Sequence, residues 1–220
     1  MQSEVGRAKY RGLRVGLTAL CLALFLCLLA GAWSLPFRYP SMSLFYKSGY
    51  HRLLLVSGKL LGVTGGLLLL VQLLAVAPGF FPEWLFSRGG RLHFHRANGL
   101  GLLVLVCHPV LILGADDFAF YPLEKKYLPE FVGMALLACL LLLVLSAHFR
   151  SRLPLTYRTW RIGHRLGALV VVGLFLGHLL TVSETFRRGL PHRLALGLAG
   201  VEGLLLAMIL GRALFFGNKR

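Results

Sequence analysis

The stretch WRIGHRLGALVVVGLFLGHLL, residues 160–180, keeps two histidines, His164 and His178, in a run otherwise built almost wholly of Leu, Val, Gly, Ala and Phe. Residues 95–110, HRANGLGLLVLVCHPV, repeat the theme with His95 and His108. Ionisable side chains are costly inside hydrocarbon, so each one found there is a functional hypothesis by default. On an α-helix the spacing from His164 to His178 turns the two rings to within about 40° of one face and sets them about 21 Å apart. The spacing from His95 to His108 is one residue shorter; it gives about 20 Å of rise but leaves the rings about 140° apart on an ideal helix. A π-bulge or a bend would be needed to return those two to one face. His93 would face His108 better and competes with His95.

The elements that position these histidines follow from composition. The chain has 220 residues, 57% hydrophobic and only 15% charged, where a soluble domain carries about 25% charged residues. A membrane-crossing helix needs about 20 apolar residues, and six runs come near that length, at roughly 13–34, 54–77, 98–114, 130–148, 162–182 and 194–216. Backbone groups cannot be left unpaired in lipid, so these runs fold as helices. The expected fold is all-α: a polytopic membrane protein, one six-helix bundle over residues 1–220. The first run is too long for the apolar core of a cleaved signal peptide and reads as a signal anchor.

The formal net charge of +16 does not mark a nucleic-acid binder, because the basic residues flank the spans. With the N-terminus inside, 15 of the 24 Lys and Arg fall on the cytoplasmic side, while Asp116, Asp117, Glu124 and Glu130 share one outer loop. The positive-inside rule then puts both termini in the cytoplasm. Cys21, Cys27, Cys107 and Cys139 all lie in spans and form no CxxC pair, which excludes a disulfide framework and a cysteine zinc site and leaves them as packing residues. No Gly-rich phosphate loop follows a strand, so no nucleotide site is expected. Gly58, Gly62 and Gly66, and Gly163 with Gly167, form small-residue stripes suited to close helix contact.

Spans three and five run in the same direction, so His95 shares a depth with His164, and His108 with His178. Two imidazoles facing each other across a bundle suit a haem iron with two axial histidines, whereas zinc asks for four ligands at one depth. Two such pairs imply two stacked haems that together bridge the bilayer.

The motif His95-Arg96-x-x-Gly99 with His108-Pro109, then His164-Arg165-Leu166-Gly167 with His178, resembles the ferric reductase-like transmembrane superfamily. That group includes ferric reductases, NADPH oxidases and the haem-binding membrane subunit of bacterial methionine sulfoxide reductase. The resemblance covers essentially the whole chain. It implies a six-helix core that binds haem b through histidines of the third and fifth spans, a role it carries onto His95, His108, His164 and His178 as ligands of haem iron. Ferric reductases and NADPH oxidases usually continue into a flavin and NADPH module. This chain reaches only Arg220, so the expectation is no flavin or NAD(P)H site within it, with electrons supplied by a separate flavin reductase or by quinol, or else a piece of a longer reductase. Its length is nearest the sulfoxide-reductase subunit, and its HRxxG opening is nearer the ferric reductases.

The expected function is therefore that of a cytochrome b of the cytoplasmic (inner) membrane, passing electrons to ferric iron, oxygen or a periplasmic redox partner. Two alternatives are the membrane subunit of a sulfoxide reductase system, and a proton-coupled transporter using intramembrane His, Glu202 and Lys59 as relay groups; a plain helical scaffold is a third. Arg96 and Arg165 either hold haem propionates or simply obey the positive-inside rule. Glu202 and Lys59 are expected to pair in the outer half, with a propionate contact or snorkelling of Lys59 as the other readings. His51, His93, His148 and His192 lie at span ends, where interfacial solvation accounts for them.

Overall fold

The computed structural model describes residues 2–77, 87–119, 124–182 and 184–216. Lys219 and Arg220, counted above in the charge balance, lie outside the described residues. The α-helices are α1 (Gln2–Arg38), α2 (Met42–Tyr46), α3 (Gly49–Val76), α4 (Arg88–Gly101), α5 (Cys107–Gly114), α6 (Leu128–His148), α7 (Tyr157–Val182) and α8 (Gly189–Phe216). A 3₁₀ segment, Leu102–Val106, joins α4 to α5 without a loop, so the two form one span. Six stretches are long and apolar enough to cross a membrane: Val15–Arg38, Gly49–Val76, Gly89–Gly114, Leu128–His148, Tyr157–Val182 and Gly189–Gly211. No strand occurs among the described residues. Leu22, Leu24, Leu142 and Leu204 stand exposed, as side chains facing lipid must.

Several helices begin before their apolar runs. Ser87 caps α4, its Oγ accepting from the Gly90 amide at 3.1 Å, which satisfies one of the donors every helix start leaves open. Helix therefore already holds His95, which lies outside the apolar run 98–114. Pro129 stands at the start of α6, where its missing N–H costs nothing.

Helix α3 packs against α1, α4, α5 and α8, while α6 packs most extensively on α7. Leu69, Leu102, Leu140, Val171 and Phe175 make the central cluster. Val171 is midway in sequence between His164 and His178, and Leu102 lies between His95 and His108, so this layer separates the two histidine levels. A second cluster, Leu73, Ala77, Val172 and Leu205, seats α8.

A 3₁₀ segment stands where the sequence allowed a π-bulge or a bend. A 3₁₀ helix advances about 120° and 2.0 Å per residue, against about 100° and 1.5 Å for an α-helix. Five such residues add about 100° of turn and about 2.5 Å of rise. His95 and His108 then come to within about 40° of one face and about 22 Å apart, nearly the values for His164 and His178 on a plain α-helix. Overwinding, not the underwinding of a π-bulge, is what closes a 140° gap left by a spacing one residue short. Pro109 contributes, because it cannot donate to the Leu105 carbonyl and its ring crowds that group, which loosens the α-helical pattern in the turn before it.

The expected Lys59–Glu202 pair does not form. Lys59 Nζ donates to Ser41 Oγ at the α1–α2 junction, while Glu202 on α8 is fully buried and neither carboxyl oxygen has a partner. Leu198 and Leu205, one turn to either side on that face, pack in the two apolar clusters, so the face of Glu202 turns into the core and away from the Lys59 anchor. An unpartnered buried polar group costs about 1–3 kcal/mol. Glu202→Leu is therefore expected to raise the thermal unfolding midpoint, read by circular dichroism in detergent; a fall of similar size would mean that the carboxyl has a partner in the working protein. Three of the four cysteines, Cys21, Cys27 and Cys107, are exposed on the lipid-facing surface rather than packed inside.

Candidate paired-histidine sites

The structure brings the four histidines together two by two. His95 faces His164 with ring centres 6.3 Å apart and planes crossed at 79°. His108 faces His178 at 6.5 Å and 83°. His93 is exposed, and the ring opposite His164 is that of His95. The other histidines are used at the ends of the bundle: His51 Nε2 bonds Asp117 Oδ1 at 2.8 Å, and His192 Nδ1 donates to the Phe186 carbonyl at 2.9 Å.

The His108–His178 pair sits in two matching cradles. His108 Nδ1 donates to the Gly58 carbonyl at 2.7 Å, and His178 Nδ1 to the Pro129 carbonyl at 2.9 Å. A carbonyl can only accept, so each Nδ1 carries the proton and each Nε2 keeps its lone pair. Four residues beyond each carbonyl the helix carries a glycine, and the imidazole lies against it. A Cβ on Gly62 would stand 2.9 Å from His108 Cε1, and one on Gly133 would stand 2.5 Å from His178 Cε1. A side chain at either position would lift the ring off its carbonyl. Gly133→Ala is accordingly expected to displace His178 and to cost about 1–3 kcal/mol, the usual penalty for overpacking. Gly173→Ala, where nothing lies within 4 Å, serves as the neutral comparison in the same thermal unfolding and ligand-occupancy measurements.

The His95–His164 pair is held differently. Gln72 of α3 donates to the His95 carbonyl at 3.0 Å and reaches His95 Nε2 at 3.4 Å. Asn98 donates to Gln72 Oε1 at 2.7 Å and to the Leu68 carbonyl at 3.0 Å, so an amide bridge fixes α4 on α3. Trp160, one turn before His164, stacks on its ring at 5.0 Å and 26°. The Nδ1 atoms of His95 and His164 are buried without a partner. Gln72, Gly133 and Trp160 were not picked out from the sequence. Gln72 had a signal, as a lone amide in the apolar run 54–77; Gly133 had none beyond being a glycine opposite a histidine-bearing helix.

A metal between two imidazoles, about 2 Å from each nitrogen and with roughly 1 Å more to each ring centre, places the centres about 6 Å apart. Both pairs have that separation, and both present ring nitrogens that no protein group claims. No group of three or more His, Cys, Asp or Glu suited to a metal ion occurs among the described residues. The donor set is two imidazoles per level, which fits the axial ligation of haem and not a four-ligand zinc site.

Fold and geometry together define a multi-pass helical membrane protein in which two pairs of histidines face each other at two levels. A family described as "Ferric reductase like transmembrane component" matches residues 61–175. The match covers just over half of the chain, takes in His95, His108 and His164, and stops short of His178. The chain belongs to the ferric reductase-like transmembrane family and is a membrane electron-transfer component of that kind. No curated protein and no solved structure matches it.

Proposed function

We propose that the chain is a b-type cytochrome that conducts electrons across the cytoplasmic membrane through two haems, one that His95 and His164 would hold and one that His108 and His178 would hold. The observation that carries the reading is the repeat of facing imidazoles at two levels of the same two spans, with ring centres 6.3 and 6.5 Å apart. Haem, when bound, supplies reversible one-electron chemistry. The chain's residues orient the four rings, fix the proton on Nδ1 of His108 and His178 through the Gly58 and Pro129 carbonyls, and keep water from the space between the levels with the Leu69–Phe175 layer.

Both histidines of each pair would be committed to haem iron, so the group would supply outer-sphere electron transfer. The acceptor is ferric iron, oxygen or a periplasmic redox protein. The end of the bundle with Arg91, Arg96, Arg150, Arg152, Arg158, Arg161 and Arg165 faces the cytoplasm by the positive-inside rule, with both termini on that side. A separate flavin reductase or quinol supplies the electrons. The sulfoxide-reductase reading shares this core and differs in the acceptor. The relay-transporter reading requires a hydrogen-bonded chain through the intramembrane charges. The geometry disfavours it, since Glu202 has no partner and Lys59 bonds Ser41.

The test is an absorption spectrum of the detergent-purified protein, oxidised and dithionite-reduced, with haem counted by pyridine haemochromogen. Two low-spin b-type haems per chain, with no carbon monoxide bound after reduction, are expected. No haem after expression with ample iron and haem precursor would overturn the proposal.

A further inference from the structure

Beside His164 is a group of donors that the reading above leaves unused. Trp160 stacks on His164 at 5.0 Å, and Tyr157 stacks on Trp160 at 5.9 Å. The Arg150 guanidinium carbon, from the short segment after α6, lies 4.7 Å from the Tyr157 ring centre and 5.4 Å from that of Trp160. Within this stack Arg150 Nε and Trp160 Nε1 are buried with no hydrogen-bond partner, as is His164 Nδ1. Cation–π contact satisfies the guanidinium face but not its in-plane N–H groups. Buried polar groups are nearly always partnered, so orphans clustered this closely require an explanation. Arg150 and Trp160 bring donors and no acceptor, and one of them is a permanent cation. Neither ion pair formed among the described residues involves Arg150. What the cluster lacks is an anionic oxygen brought from outside the chain.

We propose that Arg150 Nε and Trp160 Nε1 form a carboxylate site that takes a propionate of the haem held by His95 and His164. The inference rests on the two-haem reading. The sequence put this task on Arg96 or Arg165, the residues directly after the ligands. Helix geometry argues otherwise: a side chain one residue on points about 100° away, whereas one four residues back shares the ligand's face. Trp160 is in that second position relative to His164, and Arg165 is in the first. Arg96 is exposed. Charge-assisted hydrogen bonds from a guanidinium and an indole N–H are the strong kind. They would relieve two orphans at once, and the indole stack would hold the His164 ring in its plane.

A guanidinium near a redox centre favours the reduced form, which carries one positive charge fewer. Losing it lowers the midpoint potential. The experiment is an equilibrium redox titration of the full-length protein in detergent, following both haem waves, for Arg150→Gln, Arg150→Lys and Trp160→Phe. Trp160→Phe keeps an aromatic ring beside His164 while removing the N–H and part of the indole's bulk, so it carries the test if Arg150→Gln fails to assemble. In Arg150→Gln one wave is expected to fall by about a tenfold change in its reduction equilibrium, or about 59 mV for a one-electron couple, and the other wave to stay in place. Trp160→Phe should move the same wave the same way by less, and Arg150→Lys should recover part of the loss. Unchanged potentials in both Arg150→Gln and Trp160→Phe overturn the site. Equal shifts of both waves also overturn it, because they report a general structural change. A wild-type protein without haem instead overturns the reading on which the site depends, and the spectrum alone reveals that.

Discussion

On the proposed two-haem reading, His178→Ala is expected to leave one haem per chain in place of two and to cut electron transfer across the membrane by at least about 100-fold. The groups that hydrogen-bond a metal ligand alone govern 10- to 100-fold effects on affinity, and here the ligand itself is removed. The remaining partner, His108, cannot recruit a substitute, because its Nδ1 is committed to the Gly58 carbonyl and its ring is wedged against Gly62. Loss at this level should leave the His95–His164 level spectroscopically intact, since the apolar layer of Leu69, Leu102, Leu140, Val171 and Phe175 separates the two. The measurement is haemochromogen stoichiometry together with a redox titration, in which one of two waves should vanish. His93→Ala provides the comparison and should keep both waves. Two haems retained in His178→Ala would remove His178 from the ligand set.

Much of this arrangement is legible from residue order alone. The six spans follow from apolar run length, because lipid leaves the backbone no partner but itself. The pairing of His95 with His164 and of His108 with His178 follows from direction: spans two apart run the same way, so residues at matching positions share a depth. Where helices begin is less legible. Apolar counting starts the third span near residue 98 and the fifth near 162, whereas the helices begin at Arg88 and Tyr157. The extra turns are polar, and Ser87 capping rather than hydropathy sets the first of them.

What lay across the bundle could not be read in advance. The carbonyl-and-glycine cradles depend on which neighbouring helix each histidine meets, and Gly133 in LPEFVGMALL looks like any other glycine until α6 is laid on α7. Equal depth suggested a Lys59–Glu202 pair, but depth says nothing about facing. Glu202 turns with Leu198 and Leu205 into the apolar clusters, and Lys59 turns to Ser41. The spacing of His95 and His108 announced that the helix must deviate, and left the kind of deviation open.

That deviation gives the second large expectation. If the 3₁₀ segment exists to make up for a spacing one residue short, its work can be done by a residue instead. Inserting one alanine between Leu103 and Val104 allows Leu102–Val106 to relax to α-helix. The two rings are then about 40° and about 21 Å apart, matching α7 without overwinding. Deleting Val104 admits no such solution: the shortened spacing puts the rings about 120° apart as α-helix and about 160° apart with the remaining 3₁₀ turn kept. The insertion is therefore expected to retain two haems per chain with both redox waves near their original potentials, and the deletion to lose at least one haem. Such an asymmetry is contrary to the usual effect of lengthening a packed span, where insertion and deletion both disturb the helix register. Loss of haem in the insertion variant, with the deletion variant unharmed, would show that the 3₁₀ turn serves some purpose other than angular registration. Loss in both would show that Leu102 and Leu105, which pack in and against the central cluster, must keep their own register as well as that of the histidines.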